Sequence, residues 1–496
     1  MEISWLLLPL LYIMAALALI LKIIPKQNPN RKLPPGPKPW PLIGNFNLIG
    51  SIPHQSLHFL SQKYGEIMLL KFGKFPVVVA SSPEIAKQFL MIHDTVFASR
   101  PALAAGNYFS YNYSDMSFAP YGPYWRQTRK IFLPKVFNAR KLESFEPVRV
   151  EEMRNFLSHL RSLSGKRVVL RDHLMRFTLS SINRILDELI GMFDEWFFLT
   201  GVFNIGDWIP WLNFLDLQGY AKKMKDLRKK LDRFLNFVID DHLDRRKEEK
   251  GLNSKDVVDK LLRLAEDHNL EVKLTRDCVK ALVQNLLLGG IDTSSTTVEW
   301  SIHEILRHPW VLQKAKEELD RVIGRSRWVE ENDFSQLPYI DAIIMESMRL
   351  HPLATFLAPH YSMEDCKVAG YDISKGTMVL INTWSIGRDP TSWDKPEQFL
   401  PERFMGKEID MLGSNFALLP FGSGRRRCPG YNLGLKVVRT TLANLLHGFE
   451  LQLVDGMKAE DICIEEEYGL TTHPKEPLEI ILEPTLYPIF IELCMF

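Results

Sequence analysis

Pro420-Phe421-Gly422-Ser423-Gly424-Arg425-Arg426-Arg427-Cys428-Pro429-Gly430 is the stretch that decides the reading of this 496-residue chain. Gly422, Gly424 and Gly430 have no Cβ, so the backbone here can approach a flat object closely. Three arginines beside Cys428 are expected to lower its pKa and favour thiolate. Pro429 and Gly430 lead into an apolar helical run from Leu433 onward. That puts the sulfur near a helix N-terminus, where partial positive charge also favours the anion. The competing reading is a loop that merely buries a free cysteine.

Composition narrows the field around that loop. The chain is 46% hydrophobic and 24% charged, as soluble globular proteins are. Its length allows one large domain or two to three ordinary ones, enough core for a large prosthetic group. With 61 basic against 60 acidic residues the net charge is +1, so composition gives no support to nucleic-acid binding, which shows as a basic stripe or domain. The five cysteines, Cys278, Cys366, Cys428, Cys463 and Cys494, are odd in number and without C-x-x-C spacing. Neither a zinc site nor a disulfide framework is indicated, and free thiols suit a reducing, cytosol-facing compartment.

Trp5 to Leu21 carry no charge, and Ile23 and Ile24 extend the apolar stretch past Lys22. That is near the lower limit for a spanning helix of about 20 residues. Lys22, Lys26, Arg31 and Lys32 place the following flank in the cytosol. Positive charge before the stretch, usual in a cleaved signal peptide, is lacking. The expected organisation is a transmembrane anchor over 1–24, a proline-rich hinge over 25–45 and a catalytic domain over 46–496. The hinge contains Leu33-Pro34-Pro35-Gly36-Pro37-Lys38-Pro39-Trp40-Pro41, which is stiff and extended. Beyond it, Ile67 to Phe72 and Pro76 to Ser81 read as a β-hairpin. Helical periodicity runs through 141–163, 220–250, 275–308 and 310–322, with further strands at 377–381 and 478–482. The fold class is mainly α with a small β region.

Three more constellations accompany the cysteine loop. Glu346 and Arg349 share a helix face at i and i+3, so their charges can pair, and Pro401-Glu402-Arg403-Phe404 follows downstream. Leu288-Gly289-Gly290-Ile291-Asp292-Thr293 lies inside a helical run, where each glycine costs about 1 kcal/mol relative to alanine. A helix that keeps both needs a close approach or a bend there. Trp125 and Arg129, at i and i+4, share a face of another helix.

Together these runs resemble the cytochrome P450 family, and within it the plant microsomal enzymes. The cysteine loop matches the haem-binding signature at Phe421, Gly424, Arg426, Cys428 and Gly430, and similarity extends from the proline hinge to about residue 485. The resemblance implies a cytochrome P450 fold, a single haem domain behind the anchor. It makes Cys428 the axial ligand of haem b iron and sets Arg426, Trp125 and Arg129 against haem propionates. Thiolate ligation favours O–O cleavage. Glu346, Arg349 and Arg403 correspond to a buried structural triad. Asp292 and Thr293 correspond to the acid–alcohol pair that relays protons during oxygen activation. Electrons would come from NADPH through NADPH–cytochrome P450 reductase, met by a basic patch of Arg126, Lys130 and Arg425–Arg427. Localisation would be single-pass in the endoplasmic reticulum membrane with the catalytic domain cytosolic. Arg427 stands where relatives more often carry an apolar residue.

Substrate contacts implied by the resemblance fall at Tyr108–Phe118, Phe197–Phe203, Leu287–Ile291, Leu353–Leu357 and Leu470–Thr472, mostly apolar segments that fit a hydrophobic substrate. Similarity points to the homoterpene synthase subgroup, which oxidatively cleaves nerolidol or geranyllinalool, with flavonoid and phenylpropanoid hydroxylases nearby. A peroxide isomerase or dehydratase is disfavoured by the Asp292–Thr293 pair. One departure stands out: around Ser181–Glu188 relatives carry an additional segment, and a shortening near Arg184 that removed part of a helix would give an inactive haem binder or a misfolded chain. The tail Ile491–Phe496 extends past the usual end.

Overall fold

The computed structural model describes residues 31–135, 137–179, 186–248, 257–407, 409–454 and 456–486. The expected anchor over 1–24, the start of the hinge, the departure at Ser181–Ile185 and the tail Ile491–Phe496 lie outside the described residues. Among the described residues no helix is long and apolar enough to cross a membrane, and Cys278, Cys366, Cys428 and Cys463 are free thiols.

In chain order the elements that matter for the site are α1 (Pro53–Tyr64), the hairpin strands β1 (Ile67–Phe72) and β2 (Phe75–Ala80), α2 (Pro123–Lys135), α3 (Glu146–Ser162), β3 (Arg167–Val169), α4 (Leu170–Leu179), α5 (Leu186–Gly201), α6 (Tyr220–Glu248) and α7 (Val257–Ala265). They are followed by α8 (Arg276–Arg307), α9 (Pro309–Val322), α10 (Pro338–Leu350), β4 (His360–Tyr361), β5 (Met378–Ile381), α11 (Tyr431–Gly448), β6 (Phe449–Leu453) and β7 (Glu479–Pro484). One sheet has the order β1-β2-β5-β4 and another β3-β7-β6.

The hairpin closes with Phe72 opposite Phe75, one residue tighter than the sequence indicated. Gly73 makes that turn possible twice over: its φ of +54° is left-handed, and a Cβ there would sit 2.2 Å from the Trp208 carbonyl oxygen. The periodic run 141–163 is broken at Phe145. Pro147 explains the break, since it lacks an N–H and its ring would meet the carbonyl four residues back.

Helix α8 runs through the middle of the molecule and packs against α4, α10 and α11. Thr275 caps its N-terminus by accepting from the Cys278 amide. Its second half is buried nearly all round although rich in serine and threonine. These hydroxyls are satisfied within the helix: Ser295 donates to the Ile291 carbonyl at 3.1 Å, Thr297 to Thr293 at 2.8 Å and Ser301 to Thr297 at 2.8 Å. Ile302, Ile305 and Val298 join Leu442, Leu445 and Leu446 of α11 and Ile343 and Ile344 of α10 in the largest apolar core. That core fixes α8, α10 and α11 relative to one another, and with them the loop that precedes α11.

Candidate functional site

The cysteine loop is held by backbone geometry. Gly422 and Gly424 have φ of +66° and +68°. At Gly424 a Cβ would lie 2.2 Å from the Leu90 carbonyl oxygen, so only glycine fits. Gly424–Arg426 form one short 3₁₀ turn, after which the Cys428 amide donates to the Phe421 carbonyl at 2.9 Å. Gly430 caps α11, which puts Cys428 at the helix N-terminus as expected. The expectation of a lowered thiol pKa is corrected. Burial pushes the Cys428 thiol up and outweighs the pull of the Gly430 amide, Arg129 and Arg427. Coordination to a metal is what deprotonates such a thiol outright.

The arginines beside it divide. Arg425 is exposed and pairs with Asp94 at 2.6 Å. Arg426 turns inward, its guanidinium 4.4 Å from the Trp125 ring centre. It donates to the carbonyls of Ala98 and Ala119, both at 2.7 Å, and of Met116 at 3.3 Å. The expected basic patch therefore loses Arg426, while Arg126 and Lys130 remain exposed. Trp125 is buried and its indole N–H is taken by the Met116 carbonyl at 3.0 Å. Arg129 donates to the Arg427 carbonyl at 2.5 Å.

Two basic side chains in this recess, one a charged guanidinium and one an imidazole held neutral, were missed in the sequence. Arg100 donates to the carbonyls of Ala358 at 2.5 Å and Pro359 at 2.9 Å. Buried His360 binds the Phe97 carbonyl at 2.9 Å. Arg100, from the irregular run Ser99-Arg100-Pro101, bore no periodic or motif signal. Burial, then repulsion from Arg100, lowers Arg426 to about 8, and burial lowers Arg100 to about 10 against the pull of Asp115. His360 is pushed down to about 3 by burial and then by Arg100. A guanidinium does not give up its proton, so the depression registers charge that is desolvated and under-neutralised. Among the described residues the acids facing this cluster are Asp115 and Asp94, and Asp94 is engaged by Arg425. Asp115 itself is pushed up to about 6 by burial. Asn285 of α8 joins it to the recess, donating to Asp115 at 3.0 Å and accepting from the Met116 amide at 2.9 Å.

Glu346, Arg349 and Arg403 meet. Glu346 accepts from Arg349 at 2.7 and 2.8 Å, from Arg403 at 2.9 Å and from the Leu400 amide at 2.7 Å. Both Glu346 and Arg349 have side chains wholly buried.

On α8 the two glycines face open space: a Cβ added to Gly289 or Gly290 meets no atom within 4 Å. Among the described residues no other part of the protein makes the close approach the sequence called for. Thr293 lies on this stretch and donates to the Gly289 carbonyl at 2.9 Å. Asp292 is fully buried and directed elsewhere, accepting from Thr471 at 2.7 Å. The acid and the alcohol are thus neighbours in sequence that take different partners.

Four of the five expected substrate segments converge. Phe109, Tyr111 and Met116 share one apolar cluster with Phe197, Leu288 and Ile291, and Leu470 packs on its edge. The fifth, Leu353–Leu357, joins through the Leu353 carbonyl, which accepts from the Thr472 amide at 2.9 Å. Within the first segment Tyr111, Asn112 and Tyr113 are successively left-handed, with φ of +49°, +58° and +60°. At roughly 1–2 kcal/mol per residue, the segment holds backbone strain beside the apolar cluster.

Comparison with known proteins agrees with this geometry. The sequence profile of the family described as Cytochrome P450 matches residues 34–480. The chain is 44% identical to trimethyltridecatetraene synthase of Zea mays, covering 92% of this chain and 89% of that protein. It is 43% identical to dimethylnonatriene synthase of Zea mays, with 92% of each covered. It is 42% identical to flavonoid 3'-monooxygenase of Petunia hybrida, again over 92% of each. Among solved structures, a zebra fish cytochrome P450 with abiraterone superposes with a TM-score of 0.74 at 25% identity, covering 88% of this chain and all of that one. The cysteine loop, the buried triad and the glycine-bearing central helix all lie within the matched residues, and the chain belongs to the cytochrome P450 family, as a monooxygenase that uses haem iron and electrons supplied from NADPH through a reductase.

Proposed function

We propose that Cys428 is the axial ligand of the haem iron and that the chain oxidises a tertiary terpene alcohol, nerolidol or geranyllinalool, to a homoterpene. The observation that supports the haem assignment is the under-neutralised cation recess. Arg100, Arg129 and Arg426 outnumber the acids that face them. A haem brings two propionates, the anions such a recess lacks, and its flat face suits a helix whose glycines front open space. The residues present fit the group. Phe421, Gly424 and Gly430 shape the loop that offers the sulfur, and Arg426, Arg129 and Arg100 balance the propionates, with Trp125 stacked beneath Arg426. Bound there, thiolate-ligated haem supplies the oxygen chemistry of the family. The chain's own residues hold the substrate in the apolar cluster, exclude water with it, and pass protons through the Asp292 carboxyl toward Thr293.

The terpene reading is supported by the two maize relatives, named for trimethyltridecatetraene and dimethylnonatriene synthesis, and by the apolar, aromatic character of the converging segments. A second reading, hydroxylation of a flavonoid ring, is supported by the flavonoid 3'-monooxygenases at 42% identity. The apolar run Trp5–Leu21 with its basic flank supports single-pass anchorage in the endoplasmic reticulum with the catalytic domain cytosolic. The exposed Arg126, Lys130 and Arg425 support docking of the reductase there.

The deciding experiment is expression in yeast microsomes with the reductase. A strongly red-shifted Soret band in the carbon-monoxide difference spectrum, lost in Cys428→Ser, is expected. NADPH-dependent conversion of nerolidol or geranyllinalool should follow. No band with protein present on a blot overturns the active-enzyme reading and directs attention to the segment near Arg184. A band with naringenin hydroxylated and terpene alcohols untouched establishes the flavonoid reading instead.

A further inference from the structure

The late turn that contributes to the substrate cluster also holds Asp292. Thr471 donates to Asp292 Oδ2 at 2.7 Å, and His473 Nε2 lies 3.0 Å from the Thr471 hydroxyl and 3.4 Å from Asp292 Oδ1. The other ring nitrogen, Nδ1, meets the Thr296 hydroxyl of α8 at 3.2 Å. Asp292 and Thr471 are buried, whereas the His473 side chain keeps 16% of its surface accessible. Asp194 of α5 is solvent-exposed and lies close enough to feel the charges of Asp292 and His473. The other charged groups packed here are Arg171, Asp172 and Glu299. Arg171 is engaged by Glu299 at 2.8 Å and by the Pro474 carbonyl at 2.7 Å.

The turn has little freedom to drift. The Leu470 amide donates to the Phe197 carbonyl at 3.0 Å, and a Cβ on Gly201 would lie 2.2 Å from the Leu470 nitrogen, so α5 meets the turn backbone to backbone. The Trp300 indole donates to the Thr472 carbonyl at 3.0 Å. Asp292 is therefore joined, through one hydroxyl and one imidazole, to a turn fixed by the same segments that gather the substrate.

We propose that Thr471 and His473 are positioning residues for Asp292: Thr471 fixes the direction of its carboxyl, and His473, through its accessible edge, returns a proton to it from solvent. Imidazole suits the second task because one ring nitrogen can accept a proton while the other donates. The inference rests on the reading of Asp292 as the acid through which protons pass.

Its test needs no knowledge of the substrate. Without organic substrate, NADPH is consumed in two balanced ways: O2 + NADPH + H+ gives H2O2 + NADP+, and O2 + 2 NADPH + 2 H+ gives 2 H2O + 2 NADP+. The second needs twice as many protons at the oxygen site per O2 as the first, so its share falls when their delivery is impaired. In microsomes containing the reductase, Thr471→Val and His473→Phe should each lower the water-forming share about ten-fold, part of the roughly hundred-fold or more that a positioned general acid supplies. Thr471→Ser and His473→Gln should restore most of it.

A second readout is spectroscopic and independent of turnover. In the infrared spectrum of the resting ferric protein, the Asp292 carboxyl band, assigned by its loss in Asp292→Asn, should shift in Thr471→Val and return in Thr471→Ser. The carbon-monoxide difference band checks haem loading throughout. Thr471→Val is nearly isosteric, and its infrared band decides alone should His473→Phe fail to load. An unshifted band in Thr471→Val, or an unchanged water share with Asp292→Asn altered, overturns this inference and leaves Asp292 as the acid. An unchanged share in Asp292→Asn itself removes both.

Discussion

Glu346→Gln is the substitution whose consequence follows most directly from the geometry. The carboxylate accepts four hydrogen bonds, three of them from guanidinium nitrogens. Arg349 has no accessible side-chain surface, and its remaining donors are spent on the carbonyls of Gly387 at 2.6 Å, Pro396 at 2.7 Å and Gln398 at 3.1 Å. Glutamine keeps the volume but removes the charge, and turns one acceptor into an N–H₂ that faces guanidinium donors. Arg349 is then a buried cation with no counter-charge, a change that costs about 3–5 kcal/mol. That is a large fraction of the 5–15 kcal/mol that typically holds a fold together, and lowers the folded-to-unfolded ratio by roughly 10²–10⁴. Because large proteins commonly unfold irreversibly, the assay is the survival of the carbon-monoxide band after graded heating. Glu346→Gln should lose the band well below the wild-type temperature. A double substitution, Glu346→Leu with Arg349→Met, should recover part of the loss because no charge is stranded. Wild-type heat survival in Glu346→Gln would refute the reasoning, as would a double variant worse than the sum of its parts.

Two further outcomes are expected. Gly290→Ala should raise the thermal stability of the chain by about 1 kcal/mol through helix propensity, since the new methyl meets no atom within 4 Å. It should also weaken the spectral shift caused by nerolidol, and a loss of stability would show that the open space is needed by the fold. Glu466 is held down at about 2 although burial pushes it up, because His54 binds its carboxylate at 2.7 Å and the charges of His54, Arg388 and His351 favour the anion; Gln55 at 2.8 Å and the Trp384 indole at 3.0 Å also donate to it. A depressed carboxylate stabilises the fold above its ordinary value of 4.5, and the effect fades as pH falls toward about 2, a difference of about 3 kcal/mol. Glu466→Gln should be less stable at neutral pH and should show a flatter loss of far-ultraviolet circular dichroism across that window. An unchanged acid profile contradicts the assignment.

The cysteine loop was legible because its constraints are local. Gly422 and Gly424 are favoured by their own φ, and the place of Cys428 just before a helix is read from the residues that follow it, so eleven consecutive residues contain the argument. The pairing of Glu346 with Arg349 was legible for the same reason, as helix geometry puts i and i+3 together. Arg100 and His360 were not, because they reach the recess through tertiary packing, some 260 residues apart in the chain. The sign of the Cys428 shift was also misjudged. Counting arginines in sequence captures the attraction but not the desolvation, and one of the three, Arg425, spends its charge on Asp94 instead.

Asp292 shows the same limit in a more instructive form. Next to Thr293 in the chain, it reads as one half of a pair, and adjacency invites the inference that the two side chains work on a common partner. A helix turns by about 100° per residue, so neighbours diverge, and here the acid goes to Thr471 while the hydroxyl bonds back to Gly289. Apart from Thr296 one turn along the helix, the acid's partners come from a turn about 180 residues later, held by the carbonyls of Phe197 and Leu353 and the indole of Trp300. Phe197 is itself a member of the apolar cluster, and Leu470 of the turn packs on its edge. On the reading of Asp292 proposed above, the direction of its carboxyl is therefore set by what pins this turn, the Phe197 carbonyl and the Trp300 indole, and not by Thr293, its neighbour in sequence.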